Sequence, residues 1–207
     1  MAMKFYTIWL VLFIIFVFVL QFLIPNFTAF FILNQFSFQQ PWRFVTAIFL
    51  HGSLIHLVYN IFALVFFGLI TEKIIGSRNF LFLFLSSGIF GNVVSVNFYP
   101  SSLGASGAIY GIIGTLTIMQ PLMTVFAFSI PMPMFLASIL WAGGDLLGVF
   151  YSPENIGYIA HISGLIIGLV FGLISRFFRK SKNPKEKIYK KEISEDELRN
   201  WENSWID

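Results

Sequence analysis

The sequence predicts an all-α fold, a polytopic membrane protein whose six transmembrane helices form one bundle. Three observations carry this. The 207 residues are 57% hydrophobic and only 11% charged, whereas soluble chains carry about 25% charged residues. The charges are segregated: Lys4, Arg43, Glu72, Lys73, Arg78, Asp145 and Glu154 are all that precede Ser175, and the other sixteen of twenty-three follow it. The apolar part breaks into segments whose lengths suit a hydrocarbon layer of about 30 Å. The division predicts a membrane core over residues 1–178 and a charged cytoplasmic tail over 179–207.

Taken in order, residues 5–24 form an apolar run long enough to span. Lys4 precedes it and no small-residue cleavage site follows, which predicts a retained first helix rather than a removed signal. Pro25-Asn26 ends it. Residues 25–45 are too polar at Gln35, Gln39, Gln40 and Arg43 for a plain span. A second helix is predicted over 46–70, carrying His51, His56 and Asn60, and a third over 79–96. The fourth starts near Ser106 and ends by Pro121, the fifth covers about 131–148, and the sixth about 157–178. Residues 120–133, between the fourth and fifth, hold no charge and are expected against the cytoplasmic interface. In the tail, Ser194-Glu195-Asp196-Glu197 has the form of a capping box opening a helix near 193–205.

Lys4, Lys73, Arg78 and the cluster Arg176, Arg179, Lys180 and Lys182 mark the cytoplasmic side. Six spans then put both termini there, with Arg43 the one counter-example. In this orientation His51, His56 and His161 all lie near outer helix ends. The fourth helix, of about 15 residues, is too short to cross at 1.5 Å per residue, so Ser106 starts below the outer surface. Irregular backbone at that depth survives only where protein buries it or water lines it. A water-filled cavity opening outward follows, with Ser106, His161, His56 and Asn60 converging on it.

Composition narrows the chemistry. The absence of cysteine removes disulfides, thiolate nucleophiles and cysteine metal sites. The net charge of +3 reflects membrane anchoring rather than nucleic-acid binding. What remains is a hydroxyl and an imidazole at the mouths of two apolar helices, the minimum for nucleophilic acyl transfer. Ser106 lies in Gly104-Ala105-Ser106-Gly107, at a helix N-terminus whose free N–H groups favour a developing oxyanion. Gly104 and Gly107 allow close backbone approach. The plainer reading of that string is a serine N-cap. His161 can take the serine proton and return it to a leaving amine. No acidic residue is spaced so as to orient it, which predicts a Ser-His dyad without a carboxylate. Tyr110 shares a helix face with Ser106 and is positioned to stack on His161. His56 and Asn60, four residues apart, share a face and can donate to an oxyanion. His51, His56 and His161 lack acidic or thiolate companions for a metal, and no cofactor is required. Gly107, Gly111 and Gly114 on the fourth helix, and Gly164, Gly168 and Gly172 on the sixth, form small-residue stripes suited to close helix packing.

These strings occur in an order that resembles the rhomboid family of intramembrane serine proteases. Trp42-Arg43 is similar to the Trp-Arg of its first loop, and His51 to Asn60 to the His/Asn element of its second helix. Glu72 and Gly76 match its Glu-x-x-x-Gly, and Gly104 to Gly107 its Gly-x-Ser-Gly. Trp141 to Leu146 resembles the end of its fifth helix, and Ala160-His161 with Gly164 and Gly168 resembles its sixth. The similarity covers roughly residues 5–178. It implies Ser106 as nucleophile, His161 as general base, and His56, Asn60 and the Ser106 amide as oxyanion donors. Substrates would be single-span membrane proteins in the lipid bilayer, cut near their outer helix ends, with the fifth helix helping to gate the site. The alternative from a different class is a non-catalytic polytopic scaffold or transporter, since buried polar residues also mark transport paths. No internal repeat supports a transporter.

Overall fold

The computed structural model describes residues 5–151 and 156–182, with 199, 203 and 204. Lys4, Glu154 and the capping box at residues 194–197 lie outside the described residues. The elements are α1 (Tyr6–Leu23), α2 (Phe27–Phe31), β1 (Leu33–Asn34), α3 (Arg43–Thr46), α4 (Leu54–Ile75), α5 (Ser77–Ser95), β2 (Ser101–Ser102), α6 (Ser106–Met119), β3 (Thr124–Ala127), β4 (Ile130–Pro133), α7 (Met134–Tyr151) and α8 (Tyr158–Lys182). The chain divides into two units, Met1–Arg176 and Phe177–Asp207. The first holds the packed helices. In the second, the rings of Phe177 and Phe178 meet edge to face.

Four described helices, α1, α4, α7 and α8, are long and apolar enough to cross a membrane. The sequence predicts six spans, and the two that fall short do so for different reasons. α5 carries Arg78, Asn79, Ser86, Ser87, Asn92 and Ser95. α6 has 14 residues, or about 21 Å at 1.5 Å per residue. α6 sits at the centre of the bundle, packed against α4, α5 and α7. Nine of the 14 residues of α6 are buried, so protein rather than lipid surrounds it and its length need not match the thickness of the hydrocarbon layer. The second helix also begins later than expected. Residues 43–46 form α3 and Ala47–Phe49 a 3₁₀ turn, and α4 starts only after Ser53, whose side chain accepts from His56 N–H. His51 therefore precedes the helix instead of riding on it.

Two small ladders break the all-helical expectation. Leu33 pairs with Ser102 and Asn34 with Ser101, tying the mixed segment after α1 to the loop before α6. The uncharged stretch 120–133 folds as an antiparallel hairpin of β3 and β4, turning at Phe128 and Ser129, both with positive φ. Leu122, Phe126, Phe128 and Ile130 are exposed on it.

Buried ionic groups act as clamps. Arg43, the counter-example to the orientation expected from the charges, is 6% exposed and donates from Nη1 to the carbonyls of Ala29 and Ile32 at 2.9 and 2.6 Å. Its charge stabilises the irregular backbone after α1. Glu72, fully buried at the end of α4, accepts from Tyr6 N–H (2.7 Å), Thr7 N–H (2.9 Å) and Thr7 Oγ1 (2.7 Å). These are free N–H groups of the first turn of α1, which has no side-chain cap of its own. The carboxylate also sits at the positive end of that helix. Glu72→Ala would strand both amides in an apolar setting and is expected to destabilise the fold by about 3 kcal/mol. Thermal unfolding in detergent reads this as a lowered midpoint, with Glu72→Gln less affected.

The packing that positions the site is between α6 and α8, which run parallel. A Cβ at Gly107 would lie 3.2 Å from Ala160 O, and one at Gly91 of α5 would lie 3.0 Å from the same atom. Gly164 faces Gly107, Gly168 faces Gly111, and Gly172 faces Thr115 and Ile118. Thr115 Oγ1 donates across the seam to Gly168 O at 3.0 Å. The stripes read from the sequence are thus places where backbone meets backbone, closer than side chains would permit.

Candidate active site

Ser106 is the first residue of α6. Ala105 precedes it as the flanking residue, and no side chain caps the helix. The plain N-cap reading is therefore overturned, because the Ser106 hydroxyl is turned toward another helix. Its Oγ is 2.8 Å from His161 Nε2. His161 stands in the first turn of α8, its N–H bonded to Gly157 O. Register along the glycine seam sets this meeting: Ala160 seats on Gly107, and the next residue reaches Ser106.

The imidazole is held on several sides. Tyr110, one turn along α6 from Ser106, stacks on it with centroids 4.4 Å apart and planes 9° apart. Tyr158 meets it edge-on at 6.4 Å. Asp145 of α7 places Oδ1 3.3 Å from His161 Nδ1. The sequence predicts no carboxylate there, and this is its clearest correction. Spacing along the chain could not show the contact, because residues 145 and 161 lie on different helices. The available signal was compositional: Asp145 and Glu72 are the only acids before Glu154.

Gly104, with φ +124°, brings the loop before α6 against His56. A Cβ there would lie 2.8 Å from His56 Cε1 and 2.9 Å from Nε2, and 3.9 Å from Ser106 Oγ. Its N–H donates to Ala47 O at 2.9 Å, fixing the loop. Asn60 is buried, donates to His56 O at 2.8 Å, and leaves Oδ1 without a hydrogen-bond partner among the described residues. Its second amide hydrogen is not used in that bond. His51 is 1% exposed and lies behind His56, ring centroids 5.0 Å apart. It is not part of the cavity wall and touches the site only through His56. Its backbone N–H and carbonyl are both held by the Gln21 side chain of α1.

A cavity of about 540 Å³ is lined by Ser106, His161, His56, Asn60, Gly104 and Gly107 among others. A second groove, of about 220 Å³, reaches Ser106 and Asn60 from between α4 and α7, past Tyr59, Tyr110 and Trp141. The serine oxygen thus meets a base on one side, open space on another, and the unpaired N–H groups of a helix terminus nearby. Such a group can attack a carbonyl and have the resulting oxyanion met by N–H donors.

The Rhomboid domain family matches residues 38–177 of this chain. The chain is 33% identical over 146 residues to rhomboid protease GlpG of Haemophilus influenzae, covering 69% of this chain and 73% of that protein. It is 36% identical over 135 residues to rhomboid protease GluP of Bacillus subtilis, covering 61% and 24%. It is 33% identical over 137 residues to RHOMBOID-like protein 6, mitochondrial, of Arabidopsis thaliana, covering 65% and 44%. The match spans less than half the length of the last two relatives. Helical architecture, membrane-spanning segments and the matched domain agree: this chain is an integral, multi-pass membrane protein of the rhomboid family.

Proposed function

We propose that this chain is an intramembrane serine endopeptidase. The observation that carries the reading is the 2.8 Å approach of Ser106 Oγ to His161 Nε2 beside a cavity that also holds His56 and Asn60. Two similar proteins, from Haemophilus and Bacillus, bear the name rhomboid protease, which supports the same reaction class.

Ser106 Oγ attacks the carbonyl carbon of the scissile peptide while His161 Nε2 takes the hydroxyl proton. The oxyanion is met by the Ser106 N–H, the His56 ring and Asn60 Nδ2. Collapse breaks the C–N bond, and His161 gives its proton to the leaving amine. Water then adds to the acyl-enzyme with His161 again as base. The tetrahedral adduct releases the new carboxyl terminus and returns the proton to Ser106. A peptide bond in an intact helix hides its carbonyl in the i→i−4 ladder. Substrates are therefore single-span segments that unwind readily, with Gly, Ala or Pro near the cut.

The charge asymmetry supports a reading with both termini in the cytoplasm and with α5 and α6 completing six spans. The cavity then faces the extracytoplasmic side, where water can reach it. Residues 179–207 are a cytoplasmic tail whose basic start lies near anionic headgroups. The test uses liposome-reconstituted protein and a reporter with one transmembrane helix, together with a fluorophosphonate probe. Native protein is expected to cleave the reporter and to be labelled, and Ser106→Ala to do neither. Cleavage that survives Ser106→Ala would overturn the proposal, and a native protein that neither cleaves nor labels would favour a scaffold.

A further inference from the structure

We propose that Asp145 is a positioning residue that holds His161 in the tautomer and ring orientation the reaction needs. The inference rests on the reading of Ser106 and His161 as the reacting pair.

A carboxylate within an apolar span is retained only against a strong desolvation penalty unless its charge is met. The two acids of the described core are met differently. Glu72 accepts three hydrogen bonds from Tyr6 and Thr7 and caps α1. Asp145 is also buried, but its Oδ1 meets the His161 ring at 3.3 Å, the Tyr110 phenol that stacks on that ring lies beside the same carboxylate, and its Oδ2 meets no donor in hydrogen-bond geometry among the described residues. It caps no helix terminus and clamps no loop among them. A structural clamp would be expected to satisfy both oxygens, as Glu72 does.

The geometry of the imidazole supplies the reason. His161 Nε2 faces Ser106 Oγ and must be unprotonated to act as base. The neutral ring then carries its hydrogen on Nδ1, and that hydrogen needs an acceptor. Asp145 Oδ1 is the acceptor in place. The stack of Tyr110 fixes the plane of the ring but is indifferent to a rotation that exchanges its two nitrogens. The Asp145 contact is the one that distinguishes them. Once the ring accepts the Ser106 proton, the same oxygen faces the positive charge. The groups around His161 are Ser106 and Tyr110 from α6, Asp145 from α7, Tyr158 from its own helix and His56 from α4. Asp145 is the only anion among them.

Asp145→Asn keeps the shape and removes the charge. In the reconstituted reporter assay its kcat is expected to fall roughly 10²-fold with KM unchanged, since Asp145 does not line the cavity. A kcat within twofold of native would overturn the proposal. A second measurement covers the case in which Asn unfolds the protein. Imidazole ¹⁵N chemical shifts of native protein, assigned by loss of signals in His161→Gln, are expected to report Nδ1–H for His161. A resting Nε2–H tautomer would overturn it equally. Cleavage and labelling by native protein separate the two readings: if both fail, the protease reading fails, and if both hold while Asp145→Asn is unimpaired, only the role of Asp145 is lost.

Discussion

His161→Ala is expected to lower reporter cleavage by about 10⁴-fold or more while leaving the bundle folded. The side chain is 12% exposed at the cavity wall and contributes no backbone cap, so its loss opens space without unseating α8. The helix is held instead by Gly164, Gly168 and Gly172 against α6. What the substitution removes is the proton acceptor 2.8 Å from Ser106 Oγ. An unassisted serine hydroxyl is a weak nucleophile at neutral pH. The double variant Ser106→Ala/His161→Ala should be no worse than either single one, because members of one reacting unit are grossly non-additive. Initial rates of reporter cleavage measure both, and circular dichroism checks that helicity is kept. A His161→Ala protein with more than a tenth of native activity would contradict the assignment.

Gly168→Ala is expected to be the most damaging single-methyl change in the core. The added carbon would fall on the Gly111 carbonyl and lie 2.9 Å from Gly111 Cα. Nothing there can rotate away, because the obstacle is the backbone of α6. The two helices must separate, which costs about 1–3 kcal/mol for an overpacked core and more where no side chain can yield. Separation also stretches the Thr115–Gly168 bond and moves His161 from Ser106. Both the unfolding midpoint and the cleavage rate should fall. Gly143→Ala on α7 is the control, since a Cβ there meets nothing within 4 Å. Equal tolerance of the two substitutions would show that the seam is not as close as described.

Much of this was legible in the sequence because lipid imposes simple rules. Ser106 opening a helix too short to span, the glycine stripes, and Tyr110 one turn from Ser106 are all periodicity arguments, and each has a counterpart in the packing. His56 and Asn60 on one face of α4 follow from the same i, i+4 logic. His51 did not, because Ser53 starts the helix two residues beyond it and leaves it in a turn. The Asp145–His161 contact was invisible for a different reason: it joins one helix to the next across a crossing that no repeat encodes. The uncharged stretch at 120–133 could be recognised as neither span nor tail, but its hairpin turns at Phe128 and Ser129, where no glycine or asparagine signals a positive φ. Arg43 is an orientation anomaly in the sequence, and its guanidinium proves to be bound to the Ala29 and Ile32 carbonyls.

The α6–α8 seam gives the molecule one stiff half. Where two backbones touch, neither can slide or tilt without breaking van der Waals contact along its whole length, so the distance from alcohol to ring resists thermal motion. α7 is mounted more softly. It meets α6 through side chains such as Ser138 against Thr117, and Gly143 and Gly144 border open space. A guest helix wedged between α4 and α7 would bend the compliant wall and leave the reacting atoms in register, as a vice opens on one jaw while the other stays bolted to the bench.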